Sequence, residues 1–139
     1  MGAKAALTKG MTAVVLLVLL AGCSATPQAL EASSDATSKV YTESYLETYR
    51  RLVDNARHCI TGHDINALSM LVEADLHQEL GVGEVRFVAA GMLYSNYYAS
   101  AKIEKSGNGS RVSVKVNNPL IGERLSNMIF RWSGGDRKC

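Results

Sequence analysis

Imidazole and thiolate side chains come closest together at His58, Cys59 and His63, and both groups are good zinc ligands. Their spacing argues against a metal. His63 lies past the expected end of a helix, and the chain has neither a C-x-x-C nor an H-E-x-x-H pattern. The carboxylates Asp64, Glu73, Asp75 and Glu79 are spread along a stretch of mixed periodicity. Nothing in that spacing marks two of them as an acid/base pair. G-x-S-x-G, P-loop and G-x-G-x-x-G patterns are also missing. The expectation is a non-enzyme with no catalytic residue, metal or cofactor; the rival enzyme reading would rest on scattered groups. Tyr94, Tyr97 and Tyr98, set around Ser95 and Asn96, hold the remaining chemical promise. Tyrosine joins apolar area to a hydroxyl, which suits contact with a ligand or partner. Cross-strand packing beside a turn is the plainer reading of the same residues.

At the other end of the chain a different chemistry is set up. Lys4 and Lys9 precede Met11–Leu20, where Thr12 is the only polar residue. Ten residues make about 15 Å of helix, half of a bilayer core of roughly 30 Å. The run therefore reads as the apolar part of a signal peptide, residues 1–22, and not as a spanning helix. Leu20-Ala21-Gly22-Cys23 follows it. These four residues, in this place, resemble the lipobox of bacterial lipoproteins. The resemblance implies cleavage before Cys23, diacylation of its thiol with palmitate-type chains, and a third acyl group on the new amine. One chain anchors marginally, since a buried methylene contributes about 0.8 kcal/mol, but three hold firmly. Ser24, where an aspartate commonly retains Gram-negative lipoproteins in the inner membrane, is similar to the outer-membrane class. The implied location is the periplasmic side of the outer membrane, the alternative being the outer leaflet of the inner membrane.

Lipidation of Cys23 leaves Cys59 and Cys139 in an oxidising compartment, where an even pair points to a disulfide. Within one chain it would close a loop of about 80 residues, worth roughly 4–5 kcal/mol in the chain-entropy picture. A bond between two chains and a pair of free thiols stay open as rivals. Charge excludes another class of partner. The whole chain carries +2, and both surplus cations, Lys4 and Lys9, lie in the leader. The rest is neutral, with only Arg50-Arg51 and Arg137-Lys138 as short basic clusters, so no nucleic acid is expected.

The elements that would hold these groups follow from periodicity. Ser24–Lys39 is small, polar and aperiodic, a flexible tether of roughly 22 Å root-mean-square length. Val40–Glu43 reads as a short strand. Ser44 and Glu47 form a capping box ahead of Tyr45, Tyr49, Leu52, Ala56 and Cys59, one helical face. Residues 64–82 fit helix or strand; Leu68, Met70, Val72, Ala74 and Leu76 alternate, which favours the strand. Val85, Phe87 and Ala89 alternate next. Tyr97, Ala99, Ala101 and Ile103 should then share one face, with Tyr98, Ser100, Lys102 and Glu104 on the other. Gly107-Asn108-Gly109 marks a hairpin before Val112, Val114 and Val116. Asn118-Pro119 opens a closing helix whose apolar stripe is Ile121, Leu125, Met128, Ile129 and Trp132, and Gly134-Gly135 ends it. Phe130 falls off that stripe.

The fold class is therefore α+β, with residues 40–139 as one globular domain. An antiparallel sheet of three to five strands carries two amphipathic helices on one face, in the order β-α-β-β-β-α or with one extra strand. Tyr49-Arg50-Arg51-Leu52, Ala56, Cys59 and Ser110-Arg111-Val112-Ser113-Val114 resemble small, mostly uncharacterised proteobacterial envelope lipoproteins of helix-grip-like order. That resemblance implies a membrane-anchored interaction or accessory module with an envelope protein as partner, and it supplies no catalytic residues. The alternative is a carrier of a small apolar ligand held between helices and sheet, where Ala89, Ala90, Gly91, Ala99 and Ala101 would leave room.

Overall fold

The computed structural model describes residues 26–33, 35–65 and 68–139. The leader and Cys23 lie outside the described residues.

Four strands form the body of the sheet: β3 (Leu68–His77), β4 (Val82–Ala90), β5 (Ser95–Ser106) and β6 (Gly109–Val116). Each pairs antiparallel with the next, and β1 (Thr37–Tyr41) joins the outer edge of β6. A two-residue β2 (Asp64–Ile65) adds to the far edge, giving the order β1-β6-β5-β4-β3-β2. The architecture is the expected α+β class, with five strands of five residues or more and β2 as a small extension. Alternation at Leu68–Leu76 does produce a strand. The hairpin turns at Gly107, whose φ of +59° suits a residue without Cβ.

Helices α2 (Tyr45–Ile60) and α3 (Pro119–Ser133) both lie on one face of the sheet. Ser44 caps α2 by accepting the Glu47 N–H at 3.3 Å. The other half of the capping box is diverted, because the Glu47 carboxylate takes Arg51 Nε at 2.9 Å. Asn118 caps α3 through the Leu120 N–H at 2.9 Å, with Pro119 at the first helical position. Leu52, Ala56, Ile129 and Trp132 are fully buried against Val85, Phe87, Ala101, Ile103, Val112 and Val114. Phe130, though off the stripe, is also buried, at 9% exposure. Gly122 lets α3 lie close to β6: a Cβ there would meet Val116 Cγ2 at 2.7 Å.

The tail after α3 folds back as the cysteine reading requires. Trp132 Nε1 donates to the Lys138 carbonyl at 2.9 Å, and Asn55 Nδ2 donates to the Asp136 carbonyl at 3.2 Å. Cys59 and Cys139 are joined within the chain, with Cα atoms 5.3 Å apart. The intermolecular and free-thiol alternatives are thereby set aside.

Two features differ from expectation. The stretch read as a flexible tether, Ser24–Lys39, contains a helix, α1 (Pro27–Ser33), and its last residues open β1. Thr26 starts α1, its Oγ1 accepting the Ala29 N–H at 3.1 Å, and Pro27 is suited to a first helical turn. Leu30, at 1% exposure, is its buried anchor. Glu31 takes Ser100 Oγ at 3.2 Å and Lys115 Nζ at 3.0 Å on the sheet face opposite α2 and α3. One buried leucine in seven residues makes no periodicity, so the segment looked aperiodic.

The second difference is in β5. Phe87 pairs with Ala99 and Val88 with Tyr97, so Tyr98 is an extra residue, a β-bulge. The alternation slips there. Tyr97 does not share a face with Ala99, Ala101 and Ile103; it stands on the opposite one.

Candidate functional site

The bulge has a direct consequence on the helix side. Tyr98 and Phe87 line an open recess of about 360 Å³ whose surface is mostly carbon. Ile60 at the end of α2 and Met70 on β3 wall one side; Ile121, Leu125 and Met128 of α3 wall the other. Arg124, exposed on α3, is the only charged residue lining it. Among the described residues neither the Arg124 guanidinium nor the Tyr98 hydroxyl has a protein partner. The recess therefore joins an apolar interior to two unused donors, the usual makeup of a small-molecule site.

Around it the same end of the sheet is rich in exposed apolar side chains. Register places Ala90 beside Ser69 and Ser95, and Val116 beside Ala99. The β4–β5 turn, the start of β3 and the first turn of α3 thus share one end. Met92 is 100% exposed, Leu93 91% and Leu120 92%, with Tyr94 and Ile121 also in water. Such clustering, unlike single exposed leucines, marks contact surfaces.

The three tyrosines singled out above are not one group. Tyr94 sits at the exposed turn, Tyr98 lines the recess, and Tyr97 lies across the sheet. The Tyr97 hydroxyl is within 3.3 Å of Glu73 Oε1. Burial, then the Glu73 charge, raises the Tyr97 pKa, so it serves as a donor and not a base. Beside it Arg86 gathers Asp75, Glu73 at 3.4 Å and Glu84 at 4.0 Å. The carboxylates Glu73 and Asp75 are therefore ion-pair partners on the face opposite the recess.

A polar groove of about 610 Å³ runs along α2 and the tail. Its Arg51 is occupied by Glu43 at 2.8 Å and Glu47 at 2.9 Å, so it fastens the loop after β1 to α2, and its Nη1 also donates to the Gly134 carbonyl at the end of α3 at 3.5 Å. The Glu43 carboxyl is held below its usual pKa by the hydrogen bond from Arg51. His58 and His63 are exposed, and Cys59 is in the disulfide. Among the described residues no three His, Cys, Asp or Glu side chains are grouped to hold a metal.

Periodicity places Ile121, Leu125 and Met128 in the core stripe of α3 and Met70 and Phe87 in alternating strands, and it gives no role to Arg124. The partial exposure of Ile121, at the start of that stripe, depends on where α3 leaves the sheet, which periodicity does not report. The small residues expected to open a cavity do not line the recess; Ala89, Ala99 and Ala101 are buried at 1% exposure or less.

No family model matches the chain, and no curated protein or solved structure shows significant similarity to it.

Proposed function

We propose that the chain is a lipoprotein held at Cys23 on the periplasmic side of the outer membrane, whose domain is a non-enzymatic interaction module. The apolar end carries this reading. Met92, Leu93, Tyr94, Leu120 and Ile121 face water together, where burial against a partner would remove carbon surface from solvent. The Cys59–Cys139 bond supports an exported chain, since such bonds persist in oxidising compartments. The lipobox-like Leu20-Ala21-Gly22-Cys23 supports the anchor. On this reading the leash is short. Only three residues lie between Cys23 and Pro27, where α1 begins, and the four Cα–Cα steps reach at most about 14 Å.

Photo-crosslinkers at Leu93 and Leu120 in intact cells test it, with Arg111 on the polar sheet face as control. A discrete envelope-protein adduct from the first two sites, and none from Arg111, is expected. No adduct from either apolar site overturns the interaction role.

A second reading, a carrier of a small apolar ligand, is favoured by one observation: the recess between α3, the end of α2 and the sheet.

A further inference from the structure

We propose that the recess binds a single-chain anionic amphiphile, its hydrocarbon lying against Phe87, Met70 and Met128 and its acidic head meeting Arg124 and the Tyr98 hydroxyl. This rests on the carrier reading and adds the chemical class of its cargo.

Three observations converge on that class. The first is the interior, where side chains from α2, β3, β4 and α3 give a carbon-lined wall suited to an alkyl chain. The second is polarity. The only charged lining residue is a cation, and among the described residues it has no carboxylate partner, in contrast to Arg51 and Arg86. A guanidinium offers a fork of donors that fits a carboxylate or phosphate, and a phenolic hydroxyl supplies one more. The third is the bulge. Regular pairing would keep the tyrosine at 98 on the polar face; the extra residue turns it to the helix side beside Phe87. Bulges are common where a strand must re-aim a side chain at a site. A neutral apolar ligand would leave both donors unused. A two-chain lipid would need a larger interior than about 360 Å³, near the low end of small-molecule sites.

The test uses the membrane-bound protein with two photoactivatable probes, diazirine-bearing dodecanoate and diazirine-bearing dodecanol, each competed by its unlabelled parent. Saturable labelling by the dodecanoate probe on peptides containing Tyr98, Ile121 or Met128 is expected. Arg124→Gln, a change at an exposed position, should raise the half-saturating dodecanoate concentration about tenfold, the loss of one charge-assisted hydrogen bond. Tyr98→Phe should raise it less, and neither should alter dodecanol labelling. Equal labelling by both probes, insensitive to Arg124→Gln, overturns the anionic head while sparing the carrier reading. Failure of both probes to label the recess overturns the two together.

Discussion

Tyr97 and Ala99, two residues apart on β5, stand on opposite sides of the sheet. The slip at Tyr98 gives each neighbouring tyrosine a separate duty, and their hydroxyls should be separable by stability. Tyr97→Phe removes the hydrogen bond to Glu73 and should cost about 0.5–1.5 kcal/mol in a urea melt. Tyr98→Phe removes a hydroxyl with no protein partner and should leave the midpoint unchanged. Equal losses would mean that both tyrosines serve only packing.

Cys139, in the tail after α3, is tied by its disulfide to Cys59 in the last turn of α2, closing a loop that contains strands β2 to β6 and α3. Cys139→Ser is expected to lower unfolding free energy by about 2–4 kcal/mol. Folding should survive, because Asn55 and Trp132 still hold the tail through Asp136 and Lys138. Denaturant curves with and without reductant measure the effect, and wild type in reductant should match the variant.

Thr48 Oγ1 and Ser110 Oγ meet at 2.8 Å in a buried contact between α2 and β6. Thr48→Val strands the Ser110 hydroxyl and should cost about 1–3 kcal/mol. Adding Ser110→Ala removes the stranded group, so the double variant should regain part of that loss. A double-mutant cycle by thermal melting reads the coupling.

The Tyr41 pKa is pushed up to about 12 by burial first and by the Glu43 charge second. Its hydroxyl donates to the Phe130 carbonyl at 2.7 Å. The folded state thus keeps a proton that the unfolded chain releases near pH 10.0. This contribution to stability is complete below pH 10.0 and is lost as pH rises through about 12. Tyr41→Phe should be less stable at neutral pH and lose stability less steeply above pH 10.0. Chemical denaturation across that range checks both the offset and the slope. Tyr49, raised by burial, and Tyr97 leave a residual slope.

Leu30 is the buried anchor of α1, which packs on β5 and β6 across the sheet from α2 and α3. Leu30→Ala should release this helix while leaving the main core intact. Hydrogen exchange should speed up at the Leu30 amide, bonded to Thr26 at 2.9 Å, with β5 amides unchanged. Loss of protection across β5 would show that α1 belongs to the global folding unit.

Much of this architecture was legible because its signals were periodic and long. Leu52, Ala56 and Cys59 lay on one helical stripe, and Val112, Val114 and Val116 alternated. Asn118-Pro119 and Gly107 punctuated the chain where it does turn. Counting thiols with Cys23 set aside pointed to Cys59 and Cys139 as a pair, and the fold-back of the tail shows that they meet within one chain. Three things were hidden. α1 depends on a single leucine and on Glu31 meeting Ser100 and Lys115, partners far off in sequence. The bulge leaves no mark in composition, because Tyr97 and Tyr98 are the same residue type; only the partner strand shows which is extra. The recess is made by side chains from five elements, and its apolar ones read as ordinary core, each in its own stretch.

The anchor is tested most directly by the intact mass of the protein recovered from the membrane fraction. The expected product begins at Cys23, carries three acyl chains and weighs two hydrogens less than its reduced form. An uncleaved leader, or a Cys23 without lipid, would contradict the proposed attachment.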